Sequence, residues 1–78
     1  MRTINLHLTD LPDVDTSAVR TAIGYLSLWA FPSFPVVDIH HDSGRDFFAV
    51  YTDPENPGRR YVIGAVWSDT TQAYSFHS

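Results

Sequence analysis

Only one stretch of this chain, Thr16 to Ala30, carries apolar residues at the spacing that a helix requires. Five of them recur every three or four positions and would form one buried stripe: Val19, Ala22, Ile23, Leu26 and Ala30. The sequence FPSFP at 31–35 ends this helix, because proline cannot extend it. A chain with a single helix cannot form a helical bundle, so a sheet must supply the rest of its core.

Alternation of apolar and polar residues predicts strands on both sides of this helix. The predicted strands are Thr3 to Thr9, Val36 to Asp42, Asp46 to Thr52, Arg60 to Trp67 and Thr71 to His77. Turn-forming residues separate the last four strands: Ser43-Gly44, the DPENPG run at 53–58, and Asp69-Thr70. The predicted class is therefore α+β: an antiparallel sheet of four to five strands with one helix packed on one face, in the order β-α-β-β-β-β.

The composition predicts one domain spanning residues 1–78 with a core held by packing alone, since the chain has no cysteine. The N-terminal sequence MRTINLHLTDLPD lacks the pattern of a signal peptide, and no apolar run is long enough for a membrane helix. These features favour a cytoplasmic protein, either monomeric or homodimeric. The net charge of −4, with no lysine, argues against direct binding to nucleic acid.

A two-residue turn at Ser43-Gly44 would place Ile39 opposite Phe48, and Val37 opposite Val50. The face carrying these pairs, together with the side of the last hairpin that bears Tyr61, Ile63, Ala65 and Trp67, should meet the helix. The opposite face is then predicted to expose Val36, Asp38, His40, Phe47, Ala49, Tyr51, Val62 and Val66, with His7 and His77 as further candidates. An exposed aromatic patch around Phe47 and Tyr51 is typical of a protein interface.

The densest group of possible metal ligands is the sequence DIHHD at 38–42. Strand alternation puts Asp38 and His40 on one face, where His7 or His77 could join them from other strands. A metal site needs three or four converging ligands with further hydrogen-bonded support, so we expect no metal or other cofactor here. A small metal-dependent enzyme using Asp38 and His40 remains an alternative.

Motifs for covalent catalysis and for phosphate binding are missing from the sequence, which has no cysteine, no Gly-x-Ser-x-Gly and no glycine-rich loop. The adjacent Arg59 and Arg60 could hold a carboxylate or phosphate, or could pair with the chain's own aspartates. We therefore expect a protein that is not an enzyme and that acts by binding another protein.

In its small size, acidity, lack of cysteine and α+β architecture, the chain resembles the small inhibitors carried by phages and mobile elements, of which the anti-CRISPR proteins are the best-known group. The resemblance implies occlusion of a DNA- or nuclease-binding surface on a bacterial effector complex, in the host cytoplasm. The residues themselves predict the partner-binding set Phe47, Tyr51, Asp38, Asp42, Asp46, Asp53 and Glu55. A bacterial accessory module, such as an antitoxin, an immunity protein or a homodimeric domain, is the competing interpretation.

Overall fold

The computed structural model describes residues 2–78. One helix, α1 (Ser17–Gly24), continues as a π-helical segment (Tyr25–Trp29) and packs on a five-stranded sheet. The strands are β1 (Thr3–His7), β2 (Val36–His41), β3 (Phe47–Thr52), β4 (Arg60–Ser68) and β5 (Ala73–His77). The predicted α+β class and the predicted order of elements are confirmed.

The strands lie in the sheet in their order along the chain, from β1 to β5. Three of the four strand pairs are antiparallel, whereas β1 and β2 are parallel. The expectation of a wholly antiparallel sheet is therefore wrong at its first pair. The helix between β1 and β2 returns the chain to the end of the sheet where β1 began, so β2 runs in the same direction as β1.

The core lies between the helix and one face of the sheet. Its buried apolar side chains are Leu8, Leu11, Val19, Ala22, Leu26, Ala30, Val37, Ile39, Phe47, Ala49, Tyr51 and Ala65. Most of the predicted helical stripe is present in this list, and Ile23 packs partly buried against it. Tyr61 and Ile63 pack against the same cluster, so the predicted face of the last hairpin does meet the helix.

The π-helical segment changes which helical residues are buried. Its closing hydrogen bond runs from the Ala30 N–H to the Tyr25 carbonyl oxygen, five residues back, at 3.1 Å. A π turn holds more residues than an α turn, so the side chains that follow rotate around the helix axis. Ser27, which is not part of the predicted apolar stripe, is only 5% exposed, whereas the large apolar side chain of Trp29 is 75% exposed.

Arg2 stabilises the end of the helix. Its guanidinium donates hydrogen bonds to the carbonyl oxygens of Ser27 at 2.8 Å, Ala30 at 3.0 Å and Phe34 at 2.9 Å, and also to that of Phe31. These carbonyl groups belong to the last helical turn and the segment after it, where the helix itself supplies no donors. A cation at this position also interacts favourably with the negative end of the helix dipole.

None of the helices within residues 2–78 is long and apolar enough to cross a membrane.

Candidate functional site

The register between β2 and β3 decides which residues this protein presents to its surroundings. His40 lies opposite Phe48, so each strand residue faces a partner one position away from the predicted one. The Asp42 N–H donates to the Asp46 carbonyl oxygen at 3.0 Å, which leaves a loop of three residues instead of two. Gly44, in this loop, has a φ of +55°, which glycine adopts without strain. A shift of one residue transfers every side chain of β3 to the other face of the sheet.

Phe47 and Tyr51 therefore lie in the core, and the prediction that they form an exposed patch is wrong. Their side chains are 1% and 0% exposed. The Tyr51 hydroxyl donates a hydrogen bond to the Leu26 carbonyl oxygen at 2.6 Å. Burial raises the pKa of Tyr51 to about 12, although the nearby Arg2 guanidinium acts in the opposite direction. Neither side chain can reach a partner while the protein is folded.

The sheet face opposite the helix, which we call the open face, has an apolar centre. Phe48 and Val50 on β3 are half-buried there, while Val62 and Val66 on β4 are 48% and 41% exposed. The two β4 valines were expected on this face. Phe48 and Val50 were expected on the face that meets the helix. They lie on the open face instead, where Phe47, Ala49 and Tyr51 had been predicted. The only sequence signal for them is the adjacent pair of phenylalanines, one of which must face outward in a strand.

Polar and aromatic side chains cover the β1–β2 side of the open face. The imidazole rings of His7 and His40 stack in parallel, with their centroids 4.5 Å apart and an angle of 6° between the planes. Asp38 accepts a hydrogen bond from the Asn5 side-chain amide at 3.0 Å, and its carboxylate oxygen lies 3.5 Å from His7 Nε2. The sequence thus correctly grouped His7, Asp38 and His40 on one face.

This group does not form a metal centre. The two imidazoles face each other as flat plates, and His77 lies on β5, at the opposite edge of the sheet. Across residues 2–78, no set of three or more histidine, aspartate or glutamate side chains is arranged to hold a metal ion. The arrangement is a polar margin beside an apolar surface.

The other acidic residues of the predicted binding set occupy three different environments. Asp42 is exposed beside the β2–β3 turn. Asp46 is partly buried and accepts a hydrogen bond from the Trp67 N–H at 2.9 Å, so it stabilises the sheet. Asp53 accepts a hydrogen bond from the Glu55 N–H at 3.0 Å within the loop that follows β3. Asp42 and the Asp53–Glu55 pair thus lie at opposite ends of the sheet.

Within residues 2–78, Arg2 and Arg45 are the two arginines whose side chains bond to other parts of the protein. Arg2 binds the end of the helix, and Arg45 forms an ion pair with Asp13 at 2.8 Å while its guanidinium lies 4.9 Å from the centre of the Trp67 ring. Arg59 and Arg60 are exposed, and neither is within ion-pair distance of a carboxylate in the part of the chain that the structure describes. Neither of them lines the cleft between the helix and β5 or the cleft by the loop after β3.

Two of the clefts on the surface formed by residues 2–78 are open to solvent. One, of about 350 Å³, lies between the helix and β5 and is lined by small and aromatic side chains such as Ala18, Thr21 and Tyr74. The other, of about 390 Å³, lies by the loop after β3 and brings Asp53 and Glu55 near Phe34 and Tyr61. Neither places a nucleophile beside a base.

Comparison with protein-family models, with curated proteins and with solved structures finds no match to this chain.

Proposed function

We propose that this protein acts by binding another protein through the open face, as a non-enzymatic inhibitor of a bacterial machine that handles nucleic acid. The observation that supports this most is the uncovered apolar centre of the open face. A sheet needs only one face for its own core, and here the helix covers that face. Val62 and Val66, with the half-buried Phe48, therefore present apolar surface that the helix does not cover.

The composition of this surface favours a protein partner. Interfaces combine an apolar and aromatic centre with a polar margin, and the open face has Phe48 and the valines bordered by Asn5, Asp38 and the two stacked histidines. With a net charge of −4 and no lysine, the chain would be repelled by nucleic acid but attracted to a basic protein surface.

These features support inhibition by occlusion. An acidic domain that covers the basic surface where a nuclease or effector complex holds DNA would block access stoichiometrically, without turnover. An inhibitor of the anti-CRISPR type in the cytoplasm of a bacterial host would work in this way. We propose that Asp38 on the open face and Asp42 beside it contact basic residues at such a surface.

Affinity capture from bacterial lysate, with paired variants, tests the proposal. Val62→Asp and Val66→Asp introduce charges at exposed positions of the open face, so both variants should fold. Leu28→Asp is the matched control, since Leu28 is 67% exposed on the helix side. We expect the wild type and the Leu28 variant to retain one nucleic-acid-binding protein complex at fixed stoichiometry, and the two open-face variants to lose it.

Two results would contradict this function. Loss of the captured complex in the Leu28→Asp variant alone would move the interface to the helix side. Elution of the wild type by itself, as a dimer in light scattering that Val62→Asp dissociates, would identify the open face as a self-association surface of a homodimeric module.

A further inference from the structure

One row of residues crosses the open face from edge to edge, and it contains a gap. The register places His7 opposite His40, His40 opposite Phe48, Phe48 opposite Gly64, and Gly64 opposite His77. Four of these five residues carry a flat ring. Gly64 carries no side chain, so the row is interrupted on β4.

The rings before the gap stack on one another. The His7 and His40 centroids are 4.5 Å apart, and those of His40 and Phe48 are 5.4 Å apart with planes 26° from parallel. These separations are close to the spacing of about 4.8 Å between neighbouring strands, so each ring faces the next strand. His40 covers one face of the Phe48 ring, and on the other side of Phe48 the neighbouring residue in the sheet is Gly64.

No side-chain atom fills the position above Gly64. A Cβ atom added there would meet nothing closer than the His77 carbonyl oxygen at 3.7 Å, an ordinary contact with backbone, and would have no side-chain atom within 4 Å. Two strand spacings, about 10 Å, separate β3 from β5 across this position. A flat group stacked on the Phe48 ring would occupy the space between the side chains of Phe48 and His77. Val62 and Val66 border the gap along β4.

We infer that this gap is the recognition slot of the open face and that its occupant is the guanidinium group of an arginine side chain from the protein partner. The inference rests on the proposed function and names the chemistry of that same interface. A guanidinium is planar and cationic, and it stacks on aromatic faces while remaining less strongly hydrated than an ammonium group.

Charge complementarity selects an arginine over an uncharged ring. The exposed face of the Phe48 ring carries the negative part of the aromatic quadrupole. Asp38 lies on the open face, and Asp42 and Asp46 lie at the β2–β3 end of the sheet, in a chain whose net charge is −4. Arg45, between Asp42 and Asp46, is already paired with Asp13. Arg60, at the far end of β4, is the one arginine of that strand.

Nuclear magnetic resonance titration tests the slot without knowledge of the partner. The labelled wild-type protein is titrated with Nα-acetylarginine methylamide, and separately with the corresponding lysine and tryptophan derivatives. We expect saturable shifts centred on the Gly64 amide and the Phe48 ring with the arginine probe, and at least threefold weaker binding of the lysine probe, whose ammonium cannot stack as a plane.

Two substitutions and a control make the result specific. Gly64→Val fills the slot and should abolish the shifts, and the change suits a strand because valine has a high strand propensity. Phe48→Leu removes the aromatic face and should abolish them too. Gly58→Val, at a loop glycine whose added Cβ would also meet its nearest atom at 3.7 Å, should leave them unchanged.

Three results would overturn the slot: no saturable shift at Gly64, equal binding of the arginine probe by Gly64→Val, or tighter binding of the lysine or tryptophan probe. The outcome is independent of the capture experiment. If the titration fails but a partner is captured, the arginine slot is contradicted and the proposed interface stands. If the arginine probe binds at Gly64 but no partner is captured, only the proposed inhibitor function is contradicted.

Discussion

At the scale of single residues, Tyr51 links the helix to the sheet. Its ring is fully buried, its hydroxyl donates to the Leu26 carbonyl oxygen, and the Arg2 guanidinium lies 5.6 Å from its ring centre. Arg2 in turn binds the carbonyl groups at the end of the helix. Two polar side chains thus satisfy backbone groups that an apolar core would leave without partners.

The raised pKa of Tyr51 predicts a loss of stability at high pH. In the unfolded chain a tyrosine ionises near pH 10, whereas in the folded protein Tyr51 keeps its proton up to about pH 12. Between these values the folded state binds more protons, so the contribution of Tyr51 is complete below pH 10 and declines as the pH rises towards 12. The free energy of unfolding should fall by up to about 1.4 kcal/mol per pH unit from this residue.

The Tyr51→Phe variant checks this prediction. At pH 7 it should be less stable than the wild type by about 1–2 kcal/mol, because the buried Leu26 carbonyl oxygen loses its donor. Urea unfolding at a series of pH values should show this difference shrinking above pH 10. Curves that stay parallel from pH 7 to pH 12 would mean that Tyr51 ionises as an unburied tyrosine does.

At the scale of elements, the π-helical segment places a hydroxyl in the core. Ser27 is 5% exposed, and its Oγ finds no hydrogen-bond partner within residues 2–78. Burial of such a group without a partner costs free energy. The sequence could not indicate that Ser27 is buried, because in a regular α-helix Ser27 lies outside the apolar stripe that packs on the sheet.

Replacement of Ser27 by alanine should therefore stabilise the protein. Removal of the unpaired hydroxyl, together with the better helix propensity of alanine, is expected to raise the free energy of unfolding by about 1 kcal/mol. Urea denaturation measures the change, with Ser33→Ala as an exposed control that should have little effect. A clear loss of stability in Ser27→Ala would show that the hydroxyl has a partner.

Strand β3 shows why the sequence predicted the fold but not which β3 side chains point into the core. Periodicity located the helix and all five strands, yet the segment FFAVY is apolar at every position, so its own pattern cannot say which residues point inward. The inward-facing residues of β3 depend on the length of the β2–β3 turn, which has three residues and not the predicted two. In the last hairpin the register is two residues from the predicted one, which returns every side chain to the expected face. The parallel β1–β2 pair depends on strand order, which the sequence does not contain.

The two phenylalanines at the start of β3 provide the test of this register. Phe47→Ala should lower the free energy of unfolding by about 3–5 kcal/mol, enough to unfold a domain of this size, because it leaves a cavity in the core. Phe48→Ala should leave a folded protein, since that ring is half-buried on the open face. Circular dichroism with thermal unfolding compares the two variants. A folded Phe47 variant and an unfolded Phe48 variant would contradict the observed register and support a two-residue turn, with Phe48 in the core.

At the scale of the whole molecule, the protein has one covered sheet face and one uncovered sheet face. The helix spans a sheet that is wider than itself, so Ile4 and Leu6 on the edge strand are 37% and 55% exposed even on the covered side. The open face differs because its apolar residues lie at the centre of the sheet, between the polar margin of β1 and β2 and the outer strand β5. A partner that covers this centre would complete the second layer.

The central claim is that the open face contacts a different protein, and photo-cross-linking in bacterial cells tests it most directly. A photoreactive benzoylphenylalanine replaces Val62 on the open face or, in a matched experiment, Leu28 on the helix side. After irradiation, mass spectrometry identifies the attached chains. We predict that position 62 cross-links to one component of a nucleic-acid-handling complex and that position 28 does not. Cross-links to that component from position 28 alone, or from position 62 only to another copy of this chain, would contradict the account.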